Sequence, residues 1–170
     1  MRGMIAALAG SVALASWSPA NAQCAQAKEV VAFNIRALQS QLMVGALTCE
    51  LHDQYNTFVL RHRDELASSR RTLISYFGRA GGGERAFNTY DTELANVQST
   101  ASTRRGTLFC GEIRPVFTEV LALTKAVEVE EYAVKRNLPQ PRVVEPCTTA
   151  AAARPASPAR PATPTTTPRR

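Results

Sequence analysis

The stretch from Val30 to Cys49, VVAFNIRALQSQLMVGALTC, decides the fold of this chain. Its apolar residues recur at steps of four, three, four and four positions, the spacing of one face of an α-helix. The stretch shows no convincing alternation of apolar and polar residues, as a half-buried strand would. The pattern therefore predicts a long amphipathic helix that leads to a cysteine. The residues of this stripe are Val31, Ile35, Leu38, Leu42 and Ala46.

Three more apolar stripes with helical spacing follow. The first of them ends at Gly78 and the run Gly81-Gly82-Gly83, which we interpret as a helix–helix linker because it lacks the preceding strand and the Lys-Ser/Thr ending of a phosphate loop. Pro115 lies inside the last stripe, so we expect a kink there or a new helix with Pro115 in its first turn. The stripes are Tyr55, Val59, His62, Leu66, Leu73 and Phe77; Phe87, Tyr90, Leu94, Val97 and Ala101; and Phe109, Ile113, Val116, Val120, Leu123 and Val127.

A last short helix is predicted near residues 128–137. Three glutamates open this segment and two basic residues close it, an order that complements the helix dipole. Pro139 and Pro141 stop the helix. The sequence thus predicts an all-α fold: a small bundle of four to five helices in one domain, residues 23–147. The charged residues of this helix are Glu128, Glu130, Glu131, Lys135 and Arg136.

Several segments of this domain carry a resemblance. Residues 34–49 read NIRALQSQLMVGALTC, Asp53-Gln54-Tyr55-Asn56 follows, and Phe109-Cys110 comes later. Together they resemble a group of small secreted alphaproteobacterial proteins with paired cysteines, a group without an assigned function. The likeness spans roughly residues 24–125 and leaves out the C-terminal tail. It implies a helical envelope domain with paired cysteines, and it transfers no catalytic residue.

The four cysteines predict two disulfides. No pair has the C-x-x-C spacing of a redox site, a haem attachment site or a zinc knuckle. Four cysteines allow three pairings, and we favour Cys49–Cys110 with Cys24–Cys147. Cys49 and Cys110 adjoin apolar stripes and can meet in the interior, whereas Cys24 and Cys147 bracket the domain. The alternative is a cysteine kept reactive, for which only His52 near Cys49 offers any support.

The N-terminal 22 residues predict a cleavable signal peptide, so we expect a periplasmic or secreted product. Arg2 supplies the positive charge, and an uncharged run from Met4 to Ser16 is too short to remain as a membrane anchor, which needs about 20 apolar residues. Pro19 precedes the small-x-small pattern of residues 20–22, which places the cut before Gln23. We find no second apolar run of spanning length and therefore expect a soluble product, not an integral membrane protein.

The net charge of +6 is concentrated at the C-terminus. The domain carries 15 basic residues against 14 acidic ones, so it is not a basic nucleic-acid-binding domain. Residues 148–170 contain nothing apolar larger than alanine or proline and are predicted to be disordered. This tail is either a passive spacer or an electrostatic tether to anionic envelope material. The residues of the possible anion tether are Arg154, Arg160, Arg169 and Arg170.

The side chains that could carry chemistry form no recognisable active site. His52 and His62 lie ten positions apart and are poor co-ligands for one metal ion. His62 falls on an apolar stripe, which indicates a boundary histidine with a local acceptor. The cluster of Cys49, Glu50, His52 and Asp53 cannot align as a nucleophilic relay from adjacent positions. No two of the 14 carboxylates are singled out as a glycosidase pair. We therefore predict no catalytic, cofactor or metal site.

Two functions stay open. The favoured one is a periplasmic helical interaction protein without catalytic activity, chaperone-like or otherwise, that binds an unidentified envelope protein or anionic polymer. The alternative is an envelope hydrolase that uses carboxylates in a cleft between helices. Nothing in the sequence indicates an oligomeric state.

Overall fold

The computed structural model describes residues 24–147, and its helices account for the apolar stripes of the sequence. No strand is found within this range, so the predicted all-α bundle is confirmed. The predicted signal peptide, residues 1–22, and the tail with Arg154, Arg160, Arg169 and Arg170 lie outside the described residues. The elements are α1 (Ala27–Cys49), α2 (His52–Arg61), α3 (Arg63–Arg79), α4 (Gly83–Arg105), a 3-10 turn (Gly106–Leu108), α5 (Phe109–Ala122) and α6 (Ala126–Arg136).

Helix α1 is the centre of the bundle and contacts each of the other five α-helices of the described region. Its predicted stripe is buried at Ile35, Leu38 and Leu42. Phe33 and Ala37, which lie off that stripe, are buried as well, because neighbours cover α1 on several sides. The helix is fixed at its start by a capping box and ends at residue 50 in the left-handed conformation.

Helix α1 also has the length and apolar character that a membrane-spanning helix requires, with 23 residues. This differs from the expectation that no second apolar run has spanning length. In the fold, however, 56% of its apolar window is buried inside the bundle, and the polar Glu29 and Asn34 are buried with it. The apolar character of α1 is therefore accounted for by its place as the core helix.

The second predicted stripe becomes two helices. The backbone leaves helical geometry at His62, with φ −108° and ψ 23°, and this residue both ends α2 and precedes α3. The chain stays hydrogen-bonded across the break, since the His62 N–H donates to the carbonyl of Phe58 and the Leu66 N–H donates to the carbonyl of His62. With this break, residues 24–147 contain six α-helices, whereas the sequence pattern predicts four to five.

Helix α4 places the polar side chain of Gln98 in the core. Phe87, Tyr90 and Leu94 are buried as predicted, but the next buried position is Gln98 rather than Val97. The Gln98 amide donates to the carbonyl of Pro139 at 2.8 Å, which satisfies the buried side chain. This hydrogen bond ties the segment after α6 to α4. The periodicity of apolar residues alone does not reveal such a buried amide.

Helix α5 runs through Pro115. Of the two alternatives expected at this position, the start of a new helix is wrong, since α5 begins at Phe109 and continues to Ala122. Pro115 is exposed, while Ile113, Val116 and Val120 form the buried face. The stripe does not extend to Val127, which lies in the first turn of α6 and is 52% exposed. Helix α6 starts two residues before the predicted boundary.

Both predicted disulfides are present, and all four cysteines are paired. Cys49–Cys110 joins the end of α1 to the start of α5 with a Cα–Cα distance of 5.5 Å. Cys24–Cys147 joins the two ends of the described region. Beside it, the Ala25 N–H donates to the carbonyl of Glu145, and the Cys147 N–H donates to the carbonyl of Ala25, both at 2.8 Å. The ends of the domain are therefore held together covalently and by backbone hydrogen bonds.

Candidate functional site

The residues that the sequence offers for catalysis are not brought together. His52 is exposed at the start of α2, whereas His62 is 5% exposed and hydrogen-bonds the backbone of Leu123. Burial lowers the pKa of His62. Cys49 is held in a disulfide, so it is not a free nucleophile. Within residues 24–147, no group of three or more His, Cys, Asp or Glu side chains is placed to hold a metal ion.

The glycine run behaves as the predicted linker. It connects α3 to α4, and Gly81 and Gly83 have positive φ angles of 80° and 48°. Glycine is favoured there because residues with a side chain rarely adopt this conformation. The run follows helix α3 rather than a strand, unlike the glycine-rich loop of a phosphate-binding site.

A pair of carboxyl groups faces a pocket of about 230 Å³ between α1, α3 and α6. Glu65 comes from α3 and Glu130 from α6, and the two side chains interact by a hydrogen bond. Burial, followed by the charge of Glu130 and that hydrogen bond, raises the pKa of Glu65. The pair thus brings carboxyl groups from two helices together at one pocket. No signal in the sequence selects it, because its members lie 65 positions apart.

A second pocket, of about 320 Å³, lies beside the first and has a basic lining. Lys28 of α1 and Arg71 of α3 are exposed at its surface. Arg79 forms an ion pair with Glu29, and its Nη2 donates to Oε2 of Glu29 at 2.9 Å. We call this the basic pocket. Its full lining is Gln26, Lys28, Glu29, Arg71, Thr72, Ser75 and Arg79.

Glu29 is the one acidic residue in the lining of the basic pocket, and it is 2% exposed. Its hydrogen bond with Arg79 holds the pKa of the Glu29 carboxyl below its usual value, against the opposing effect of burial. Glu29 also accepts a hydrogen bond from the backbone N–H of Gln26 at 2.8 Å. Because its charge is compensated inside the fold, the pocket presents an excess of positive charge to solvent.

The basic pocket lies at the end of the domain where the chain departs towards residue 148. Cys147 is bonded to Cys24, and its backbone is hydrogen-bonded to Ala25, one residue before the pocket residue Gln26. The described region therefore ends, at Cys147, next to the basic pocket. The sequence did not place Lys28, Arg71 and Arg79 together, because they come from two helices that meet only in the fold.

Exposed apolar side chains occur at the opposite end of α1. Leu47 and Leu108 are 67% and 68% exposed, and each lies two residues before a cysteine of the Cys49–Cys110 disulfide. A chaperone-like function would use exposed apolar surface of this kind. No family model, curated protein or solved structure matches the chain. Function is therefore inferred from the geometry of residues 24–147.

Proposed function

We propose that the protein is an exported helical interaction protein without catalytic activity, which binds an anionic polymer of the bacterial envelope. The basic pocket and the arginines of the tail together form the binding surface. Of the two partner classes open from the sequence, the anionic polymer is favoured over an envelope protein because the pocket is charged rather than apolar. The kinship with small secreted alphaproteobacterial proteins stays a prediction.

Two features support export. The N-terminal segment has the composition of a signal peptide, and two disulfides form and persist in oxidising compartments such as the periplasm. The geometry of each bridge is compatible with a structural disulfide, with Cα–Cα distances of 4.8 and 5.5 Å. These observations favour a protein that works outside the cytoplasm.

The observation that carries the proposal is the position of the basic pocket beside the exit of the tail. Because Arg79 is paired with Glu29, Lys28 and Arg71 supply the net positive charge of this surface, although the domain as a whole is nearly neutral. Two adjacent cationic elements bind a polyanion more tightly than either does alone, because the second contact is intramolecular once the first has formed. A repeating polymer with phosphate or carboxylate groups supplies both contacts.

The test is co-sedimentation of the oxidised protein with purified peptidoglycan sacculi, and separately with lipopolysaccharide vesicles, at increasing salt. We expect binding to weaken with salt, because exposed charge pairs are screened. R71A should lower affinity by about threefold to fivefold, as one exposed charge contributes roughly 1 kcal/mol or less. Removal of residues 148–170 should lower it further.

The matched control is R104A. Arg104 is an exposed arginine in the last turn of α4, and it is not part of the lining of the basic pocket. Its removal changes net charge by the same amount and should leave affinity unchanged. Equal effects of R71A and R104A would show that net charge alone drives binding, and salt-independent binding would contradict the proposal.

The alternative is an envelope hydrolase, and the carboxyl pair of Glu65 and Glu130 is the observation that favours it. A carboxyl group with a raised pKa beside a second carboxyl can donate a proton to a leaving group. Hydrogen-bonded carboxyls resemble the shared-proton dyad of acid proteases more than the spaced carboxylates of glycosidases. If this function holds, E65Q or E130Q abolishes turnover of envelope peptides or glycans without lowering the melting temperature. The alternative is wrong if the unmodified protein shows no turnover.

A further inference from the structure

A third pocket, of about 280 Å³, lies between α1, α2 and α4 and has a lining unlike that of the basic pocket. Its charged residues are one arginine and one aspartate, and the rest are amides, hydroxyls, an aromatic ring, a methionine and an alanine. The volume is near the lower end of the range for small-molecule sites, about 300–1,000 Å³, so it admits one ring-sized group. The residues that matter are Arg36, Gln39, Ser40, Tyr55, Asp91 and Asn96.

Arg36 and Asp91 form a neutral, doubly hydrogen-bonded pair in the wall of this pocket. The Nε and Nη2 of Arg36 donate to the two carboxylate oxygens of Asp91, both at 2.6 Å, and Nη1 donates to Oε1 of Gln39 at 2.6 Å. The guanidinium also lies 5.6 Å from the ring centre of Phe87. Because the two charges cancel, the pocket favours an uncharged ligand; a charged one would lose hydration without gaining a counter-ion.

Hydrogen-bonding capacity remains in the pocket after these bonds are counted. A guanidinium has five N–H groups and a carboxylate accepts about four hydrogen bonds, so Arg36 and Asp91 each retain capacity for a ligand. The Oγ of Ser40 is buried and has no hydrogen-bond partner within the described part of the chain. Buried hydroxyls are normally hydrogen-bonded. Asn96 adds an exposed amide at the rim.

The remaining wall is apolar. Tyr55 is half-buried at the start of α2, and Met43 of α1 and Ala95 of α4 line the pocket with it. An aromatic ring next to planar amide, guanidinium and carboxylate groups matches a ligand with an apolar C–H face and a rim of hydroxyls. A sugar ring has this chemistry, since its C–H groups pack on an aromatic face while its hydroxyls both donate and accept hydrogen bonds.

We propose that this pocket binds a single neutral pyranose ring. The Arg36–Asp91 pair, Gln39 and Asn96 would hold the hydroxyls, and Tyr55 would pack against the ring. The inference is independent of the proposed function, because Lys28, Arg71 and the tail take no part in it. Sugar binding at this site involves no net charge and should be insensitive to salt, which separates it from polyanion binding.

The test is titration of the oxidised ¹⁵N-labelled protein with glucose and N-acetylglucosamine, followed by NMR. We expect saturable shifts of backbone amides in 36–43 and 91–96, two of the segments that line the pocket, at 0.5 M salt as well as at low salt. Sorbitol, an acyclic polyol with the same hydroxyl chemistry and no ring, should give no saturable shift. The absence of shifts with both sugars, or an equal response to sorbitol, would overturn the proposal.

Two variants of α4 test whether the sugar binds in this pocket. N96A should weaken sugar binding by about fivefold, because it removes an amide from the rim of the pocket. N88A removes the same exposed amide two turns earlier on α4, outside the pocket lining, and should leave affinity unchanged. Neither exposed position is part of the buried core, so both variants are expected to fold, which their amide spectra will show. Unchanged affinity of N96A, or equal losses in both variants, would overturn the assignment of the pocket.

Discussion

Glu65 and Glu29 are carboxyl groups whose pKa values shift in opposite directions because their neighbours differ. Glu65 faces Glu130, and burial together with that like charge raises its pKa above the usual 4.5. Glu29 is bonded to Arg79, which lowers its pKa below 4.5. In both cases the residue that distinguishes the direction of the pKa shift, Arg79 or Glu130, lies on another helix. The two sites therefore make opposite contributions to the dependence of stability on pH.

For Glu65, the raised pKa means that the folded state binds its proton more tightly than the unfolded chain does. Its contribution to stability is fully present below the unfolded pKa and is lost as the pH rises through the folded pKa. E65Q keeps the protonated shape, so it should be more stable than the unmodified protein at pH 7 by about 1 kcal/mol or less, and the gain should vanish near pH 4. Urea denaturation from pH 4 to 7.5 measures this difference. A gain that does not change with pH would contradict the account.

For Glu29, the lowered pKa gives stability that is present above the unfolded pKa and lost as the pH falls through the folded pKa. R79A leaves the buried carboxylate without its ion-pair partner and should destabilise the fold by about 1–3 kcal/mol at pH 7. The loss should shrink in acid, where Glu29 becomes protonated. Thermal melts of R79A at pH 3.5 and 7 test this, and R71A, which changes the same charge without a buried partner, is the control. Equal losses for R79A and R71A at pH 7 would contradict it.

At the scale of elements, α1 and α5 pack closely against each other at Gly45. A Cβ placed on Gly45 would lie 2.7 Å from Cγ1 of Ile113 and 3.3 Å from Cε2 of Phe117. The glycine thus lets the two helices pack directly against each other just before the Cys49–Cys110 disulfide. Gly111 on α5 is the opposite case, because a Cβ there meets nothing within 4 Å.

G45A and G111A should therefore have opposite effects on stability. G45A overpacks the contact of α1 with α5 and should lower the free energy of unfolding by about 1–3 kcal/mol. G111A replaces glycine inside an exposed helix position and should raise it by up to about 1 kcal/mol. Chemical denaturation of both variants at pH 7 provides the comparison. Similar effects of the same sign would show that helix propensity, not packing, governs both sites.

At the scale of the whole molecule, two disulfides close loops of very different length. Cys49–Cys110 spans 61 positions and Cys24–Cys147 spans 123. On the chain-entropy model these bridges stabilise the fold by about 4 and about 5 kcal/mol, respectively, amounts comparable to the net stability of a small domain. The domain therefore depends on oxidation for much of its stability.

The cysteine pairs can be removed separately. C49S/C110S and C24S/C147S should each lower the free energy of unfolding by about 2–5 kcal/mol. C24S/C147S should in addition loosen the contact between the two ends of the domain. The backbone amides of Ala25 and of the residue at position 147 should then exchange faster than they do in C49S/C110S, which keeps this bridge. Urea denaturation and hydrogen exchange measure both effects. If either variant lowers the free energy of unfolding by less than about 0.5 kcal/mol, the disulfide that it lacks does not stabilise the fold as proposed.

Much of this architecture follows from local sequence patterns, and the rest depends on contacts between distant elements. The apolar stripes, the glycine linker and the disulfide pairing were predictable because each has a local or topological signal. The break at His62 and the buried Gln98 were not, because periodicity does not report a change of helix axis or a hydrogen bond to Pro139. The carboxyl pair and the basic pocket were missed for the same reason: their members meet only after α1, α3 and α6 pack together.

The most direct test of the central claim, a helical domain held by disulfides formed outside the cytoplasm, is the mass of the protein isolated from the envelope after alkylation without reduction. The account predicts a chain that starts at Gln23 and carries no alkylated cysteine, with Cys24 linked to Cys147 and Cys49 linked to Cys110. A chain that retains its first 22 residues, or one with all four cysteines alkylated, would contradict it.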